Sequence, residues 1–298
     1  MKTLPFKAED LLGGAGAYSA QTRRSSISGV QDKVQLLRKR GGYEVVESGG
    51  THILKPVPRS GYMRLAGDVP ANEALTMDIA QRVFRIPVAR HELVRLADGE
   101  LAYLTQRFDR QNGRKILQED FCQLSGRSPE THGANYKYDA SYEELAQLVR
   151  RFCLAHAVEN PKVFFLVLFN YVFSNGDAHL KNFSLFAGPQ GDYILTPAYD
   201  LLDTSVHIPN EASATALGFF ADGHFTPAYE PLGFYSSADF VELGACFGAA
   251  ETEVRRSIER FPACRGRVEQ LVEVSALSAQ AKELYLSHFH SRLRAIAQ

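Results

Sequence analysis

Cysteine is sparse in this chain. Cys122, Cys153, Cys246 and Cys264 are the four in 298 residues, and none belongs to a C-x-x-C pair, which argues against a zinc ribbon. Scattered thiols suit a reducing cytosol better than a disulfide scaffold. An excess of one charge sign is also missing. The formal net charge is −1, which argues against a protein whose main work is coating nucleic acid. A local basic patch built from Arg23, Arg24, Arg38, Lys39 and Arg40 stays open. Long apolar runs are absent too. The most apolar stretch, VFFLVLFNYVF at 163–173, is about half the length that spans a bilayer and reads as a buried helix. The first residues, MKTLPFKAEDLLGG, lack a continuous apolar segment of the signal-peptide kind. A cytoplasmic protein without membrane contact is expected. No internal repeat and no low-complexity tract is found.

What remains is ordinary globular material, 45% apolar and 22% charged, with length for one large domain or two lobes. Residues 33–56 read as a meander of short strands, KVQLL, YEVVE and HILKP, separated by glycine turns. Leu75, Ile79 and Val83 recur at helical spacing over 71–84, and Pro87 prevents continuation. A hairpin turning at Asp98-Gly99 follows. Beyond Arg110 the character changes. Ser141 with Glu144 reads as a capping box, and Asn160-Pro161 as the start of the long apolar helix. A hairpin is expected over 183–196, irregular structure over 203–235, and helices from Ser236 to the end. The layout is α+β with two lobes. A β-rich small lobe over 1–108 precedes a mainly helical large lobe over 109–298.

The sharpest local signal is NGDAHLKNFSLF, 175–186, followed by TPAYDLLDT, 196–204. Phosphoryl transfer needs these residue types in this order. One Asp orients the attacking hydroxyl, and an Asn five residues on, with an Asp beyond a hairpin, holds Mg²⁺ against the phosphates. Asp177 and Asn182 have the D-x-x-x-x-N spacing of the protein-kinase catalytic loop. Asp200 takes the second metal position, although Leu-Leu follows it in place of Phe-Gly. Taken singly, Asp177 and Asn182 could cap a turn and Asp200 a helix. The ordered set favours chemistry. A zinc role for His179 lacks partners at ligand spacing. Lys55 closes a strand and suits an α/β-phosphate contact, with Glu73 on the next helix as its possible ion-pair partner; a solvated strand end and an exposed helix glutamate are the plainer alternatives. TQRFDR, 105–110, lies where the lobes join and offers backbone edges and Phe108 to an adenine ring, or is simply a half-buried strand. Upstream, TRRSSISGVQDKVQL at 22–36 places hydroxyls beside a glycine and a lysine. Such a loop can cradle phosphate, and its serines can be phosphorylated.

The series SISGVQDK, HILKP, NEALTMDIA, QRFDR, EDFCQ, NGDAHLKNFS and PAYDLL, spread in order from Ser26 to Leu202, resembles the HipA family. The resemblance implies a two-lobed fold related to eukaryotic and lipid kinases. It also implies a serine/threonine kinase using ATP and Mg²⁺, the toxin of a toxin–antitoxin system that phosphorylates an aminoacyl-tRNA synthetase and itself. By the same resemblance Asp177 is the catalytic aspartate, and Asn182 and Asp200 are the Mg²⁺ ligands. Lys55, Gln106, Phe108, His179, Lys181, Tyr199, Ser28, Gly29 and Val30 lie at the nucleotide. Gln106 departs from the Glu found there in HipA. Ser26 aligns with the autophosphorylated serine, and Ser28 is a second hydroxyl where HipA has a small non-hydroxyl residue. That second hydroxyl, and the 25 residues before Ser26, point to the short HipT branch. A HipS-like small protein and a HipB-like DNA-binding antitoxin are its implied partners, and tryptophanyl-tRNA synthetase its implied target. Other classes stay in view: a small-molecule phosphotransferase, a pseudokinase binding module, and a DNA-binding regulator acting through HipB rather than by direct nucleic-acid contact.

Overall fold

The computed structural model describes residues 1–12, 32–111, 114–188, 192–208 and 215–298. Alternating stretches near the front build a six-stranded sheet. Its strands are β1 (Lys2–Thr3), β2 (Val34–Lys39), β3 (Gly42–Val45), β4 (His52–Lys55), β5 (His91–Arg95) and β6 (Leu101–Gln106). Their spatial order is β1-β5-β6-β4-β2-β3. β1 runs parallel to β5, and the other neighbours are antiparallel. Side-chain alternation gives the faces different work. Leu54 of β4 packs with Leu4, Val34, Leu36, Val94 and Leu104 in a small core closed by α1 (Ala8–Leu12). Lys55, one residue on, is sent to the opposite face.

That face carries α2 (Val69–Arg82), which packs on β5 and β6. Pro70 in the first turn suits a helix start. The helix is buried almost all round, because its far side meets the C-terminal helices. Met77, Ile79, Ala80 and Val83 belong to the main apolar cluster together with Phe169, Phe173, Phe261 and Phe289. The helix expected between small-lobe strands is therefore also the contact between sheet and helical body.

Past two short strands, β7 (Arg110–Gln111) and β8 (Arg114–Lys115), come β9 (Gln118–Asp120), α3 (Phe121–Ser125) and α4 (Pro129–His132). α5 (Tyr142–Phe152) begins with the expected box: the Ser141 hydroxyl accepts from Glu144 N at 3.2 Å and Glu144 Oε2 accepts from Ser141 N at 2.8 Å. α6 (His156–Val172) starts four residues earlier than Asn160-Pro161 suggested. The Ala155 carbonyl accepts from Val158 and Glu159, so the first turn closes ahead of Pro161, whose fixed φ then continues the helix. β10 (Ser184–Ala187) and β11 (Tyr193–Leu195) form the later hairpin, and β10 also pairs with β9. The described residues of 203–235 are mostly irregular apart from a 3₁₀ turn at Thr204–Val206 and α7 (Tyr229–Leu232). The chain ends in α8 (Ser237–Cys246), α9 (Glu251–Ala263), α10 (Arg265–Glu273) and α11 (Ala279–Ile296). Among the described residues no helix is long and apolar enough to cross a membrane.

Candidate active site

β4, α2 and the loop after β11 converge on one lysine. Lys55 Nζ donates to Glu73 Oε1 at 2.6 Å and to Asp200 Oδ1, and lies 5.4 Å from the Tyr103 ring centroid. Lys55 and Glu73 are 4% and 1% exposed, so neither charge meets bulk water. Burial alone would pull the ammonium down, but Asp200 and Glu73 outweigh it and hold the lysine charged well above its ordinary range. Burial raises Glu73 against the pull of Lys55. For Asp200, burial is outweighed by Lys33 and Lys55, and the carboxyl is held far below its usual range. Lys33 Nζ lies 3.6 Å from Asp200 Oδ2. Two ammonium groups thus gather on one carboxylate, leaving a strongly polar corner between sheet and helical body.

The second half of the site hangs from the end of α6. Phe169 and Phe173 seat that end in the aromatic core, with Phe173 stacked on Phe289 of α11 at 5.1 Å. The chain then turns through Ser174, whose φ of 50° lies in the left-handed region. Asn175 ties this turn to the backbone of the loop after β11, its amide donating to Asn170 Oδ1 at 2.9 Å and to the Asp200 carbonyl at 3.1 Å. Thr204 adds a second stitch: its hydroxyl donates to the Ser174 carbonyl at 3.1 Å and accepts from Gly176 N at 2.9 Å. Asp200 itself has φ 56°. Asp tolerates that region better than most residues, and strain of this kind concentrates at working sites.

Asp177 is 5% exposed and accepts from the Tyr138 hydroxyl on Oδ1 at 2.5 Å. His179 Nε2 is 3.9 Å from the same oxygen. His179 is buried, and burial followed by the charge of Lys137 keeps its imidazole neutral. Among the described residues neither of its ring nitrogens has a hydrogen-bond partner. Asn182 Oδ1 accepts from His179 N at 3.2 Å, and its Nδ2 lies 3.4 Å from Asp200 Oδ2. Among the described residues no three His, Cys, Asp or Glu side chains form a metal cage. The Asn182–Asp200 pair is nevertheless the donor set a Mg²⁺ ion accepts. That ion takes one or two protein oxygens and completes its shell with water and substrate phosphate. Asn182 would turn its amide oxygen from the His179 N–H to do so.

Other expected positions line the joint. Phe108 and Tyr199 are tilted ring neighbours at 5.8 Å. The Tyr199 hydroxyl contacts Ser184 and donates to the Lys181 carbonyl at 2.8 Å. Burial drives that phenol far above its usual range. Gln106 ends β6 opposite His52, and its N–H donates to the Arg90 carbonyl at 2.7 Å. Lys181 meets a carboxylate and an aromatic ring. Its Nζ lies 3.6 Å from Asp120 Oδ2 and 5.8 Å from the Tyr136 ring centroid. Ser26, Ser28, Gly29 and Val30 lie outside the described residues.

Several residues joined the site without being singled out in the sequence. Lys33 and Tyr138 touch the two aspartates. Asn72 locks the loop after β11: its amide donates to the Asp203 carbonyl at 2.9 Å and accepts from Asp203 N at 3.0 Å. Asp203 in turn holds His288 of α11 at 2.9 Å. Asn72 adjoins Glu73 and Lys33 closes the serine motif, so position beside a recognised motif was the available signal.

A curled sheet over a helical body, with Lys55, Asp200 and Asp177 between them, is a kinase-like fold. Solved structures share it, two of them as follows. One is HipA of Shewanella oneidensis, determined with HipB and operator DNA. Its TM-score is 0.68 at 21% identity, over 92% of this chain and 65% of that one. The other is the Helicobacter pylori proinflammatory kinase CtkA, with a TM-score of 0.54 at 12% identity, over 89% and 90%. The family model for the HipA-like C-terminal domain matches residues 25–267, and the chain belongs to that family. Among curated relatives, a putative kinase of Haemophilus influenzae is 29% identical over 97% of this chain and 86% of its own length. Putative kinase Y4mE of Sinorhizobium fredii is 36% identical over 61% of this chain. The serine/threonine-protein kinase toxin HipA of Shewanella oneidensis is 29% identical over 80% of this chain. The matches span 43% and 56% of those last two relatives, about half their length.

Proposed function

We propose that the protein is an ATP- and Mg²⁺-dependent serine/threonine kinase. The observation that carries this reading is the buried Lys55–Glu73–Asp200 cluster, with Asp177 and Asn182 presented beside it by one short loop. Residues 1–108 would grasp the nucleotide and residues 109–298 would supply the transfer loop.

Lys55, kept charged by its two carboxylates, draws on the α/β-phosphates of ATP. Phe108, Gln106 and Tyr199 face the base at the joint, and His179, kept neutral, packs beside the phosphates without adding charge. Asp200 and Asn182 would hold Mg²⁺, which supplies neutralisation of phosphate charge when bound. Asp177 receives the proton of the acceptor hydroxyl as the oxygen attacks the γ-phosphorus and the bond to the β-phosphate oxygen breaks, releasing ADP.

The finer reading is a toxin of the HipT kind in the cytoplasm, acting on an aminoacyl-tRNA synthetase, tryptophanyl in the first instance. It would be neutralised with HipS-like and HipB-like partners. Support comes from the family membership, from the relative named as a toxin, and from the structural neighbour solved with HipB and DNA. Phosphate on Ser26 or Ser28 would add about −1.5 to −2 charge beside the ATP phosphates and so silence the kinase. The test is γ-labelled Mg·ATP added to bacterial lysate with the purified protein. Label on a protein of synthetase size supports the proposal. Label confined to small molecules makes the chain a small-molecule phosphotransferase, and ATP binding without transfer makes it a pseudokinase.

A further inference from the structure

The segment between α4 and α5 runs alongside the catalytic loop and is fastened to it at successive residues. Lys181 Nζ lies 5.8 Å from the Tyr136 ring centroid. The Lys137 carbonyl accepts from Leu180 N at 3.2 Å. The Tyr138 ring stands edge-on to His179 at 5.1 Å and 74°. The Lys137 ammonium lies 4.9 Å from the centroid of the same ring. Tyr138 N donates to the Asn135 carbonyl at 2.7 Å, closing the turn that delivers it. At the end of this arrangement the phenol O–H donates to Asp177 Oδ1.

We propose that Tyr138 is a positioning residue for Asp177, and that the 136–138 segment is a third wall of the transfer site. An aspartate on a loop has two side-chain torsions to settle. The Asp177 N–H approaches Asn175 Oδ1 at 3.4 Å, which steadies the backbone and not the carboxylate. Tyr138 steadies the carboxylate. Its O–H occupies one lone pair of Oδ1 and so fixes the direction in which the carboxylate faces. The phenol is held by its backbone turn, by the Lys137–Leu180 hydrogen bond and by the contacts of its ring with His179 and Lys137, so it is a fixed strut and not a swinging gate. Geometry at the base governs the rate, because misplacement of about 1 Å can cost about a hundredfold.

The inference rests on Asp177 being the base of the proposed kinase, so Tyr138→Phe is tested beside Asp177→Asn. Phe fills the same ring space and removes only the hydroxyl. The readouts are the saturating rate of label transfer from γ-labelled Mg·ATP to lysate protein, the KM for ATP, and the melting temperature. For Tyr138→Phe the rate falls roughly ten- to a hundredfold, the loss of one hydrogen bond to a charged group, while KM and melting temperature stay put. In an Asp177→Asn background the Phe substitution produces no further loss. Full activity of Tyr138→Phe beside a dead Asp177→Asn overturns the positioning role and leaves the kinase reading intact. A fall in rate matched by lost ATP affinity and a lower melting temperature overturns it as well, since Tyr138 would then be structural. An active Asp177→Asn removes the premise itself.

Discussion

Lys55 is held where an unpaired lysine could not stay charged. Removing it strands Glu73, a carboxylate 1% exposed, without its cation. Lys55→Met should therefore cost about 3–5 kcal/mol of stability. The deficit should shrink at lower pH, because burial already raises Glu73 and the stranded carboxyl can take up a proton. Adding Glu73→Gln should recover part of the loss. Urea denaturation at two pH values checks this, and a single variant as stable as wild type would contradict the buried pairing. His207 makes a second pH-dependent contribution. Asn72, oriented by the Asp203 backbone, donates to Nε2 at 2.9 Å, and Nδ1 faces the Arg64 carbonyl at 3.2 Å. That pattern accepts the neutral ring only, and burial lowers the histidine from 6.5 to about 4. The folded protein then binds fewer protons than the unfolded chain between those values. This contribution is complete above about pH 6.5 and is lost as pH falls towards 4, about 2 kcal/mol by pH 5. His207→Gln should lose less stability than wild type between pH 7 and 5; an identical loss would sink the assignment. Residues inside local motifs, such as Asp177, Asn182 and Lys55, were legible because neighbours in sequence announce them. Tyr138 and Asn72 were not, since their partners lie 39 and 131 residues away and no short pattern encodes such a meeting.

Elements followed their periodicity closely in the meander, in α2 and in the capped α5. The start of α6 did not, because a proline reads as a boundary while a turn closed just ahead of it leaves no sign in composition. The short turns in 203–235 escaped for a related reason: at three and four residues each they are too short to show a helical period. Helix packing sets one sharp requirement. A Cβ placed on Gly244 of α8 would sit 2.3 Å from Val254 Cγ2 of α9. Gly244→Ala should destabilise by about 1–3 kcal/mol despite its better helix propensity. Combining it with Val254→Ala, which opens the space, should give less than the sum of the two single losses. Thermal melts of the three variants decide this, and simple additivity would contradict the close approach.

The whole molecule is coupled through α2 and α11. One lays Glu73 on the site and Met77 in the main core; the other anchors Asp203 through His288 and packs Phe289 against the end of α6. A ligand bridging sheet and loops should accordingly stabilise the entire chain. Mg·ATP at a hundred times its Kd should add about 2.7 kcal/mol and raise the melting temperature. Asp200→Ala should abolish the part that depends on Mg²⁺, and an unchanged Mg²⁺ dependence in that variant would remove Asp200 from the metal site. The central claim is that Asp177 is the base of a phosphotransferase assembled around Lys55 and Asp200. The most direct measurement compares wild type with Asp177→Ala for transfer from γ-labelled Mg·ATP, with ATP binding followed in the same samples by calorimetry. The account predicts a rate loss of about 10²–10⁴ in the variant with ATP binding retained. Transfer by Asp177→Ala at the wild-type rate would contradict it.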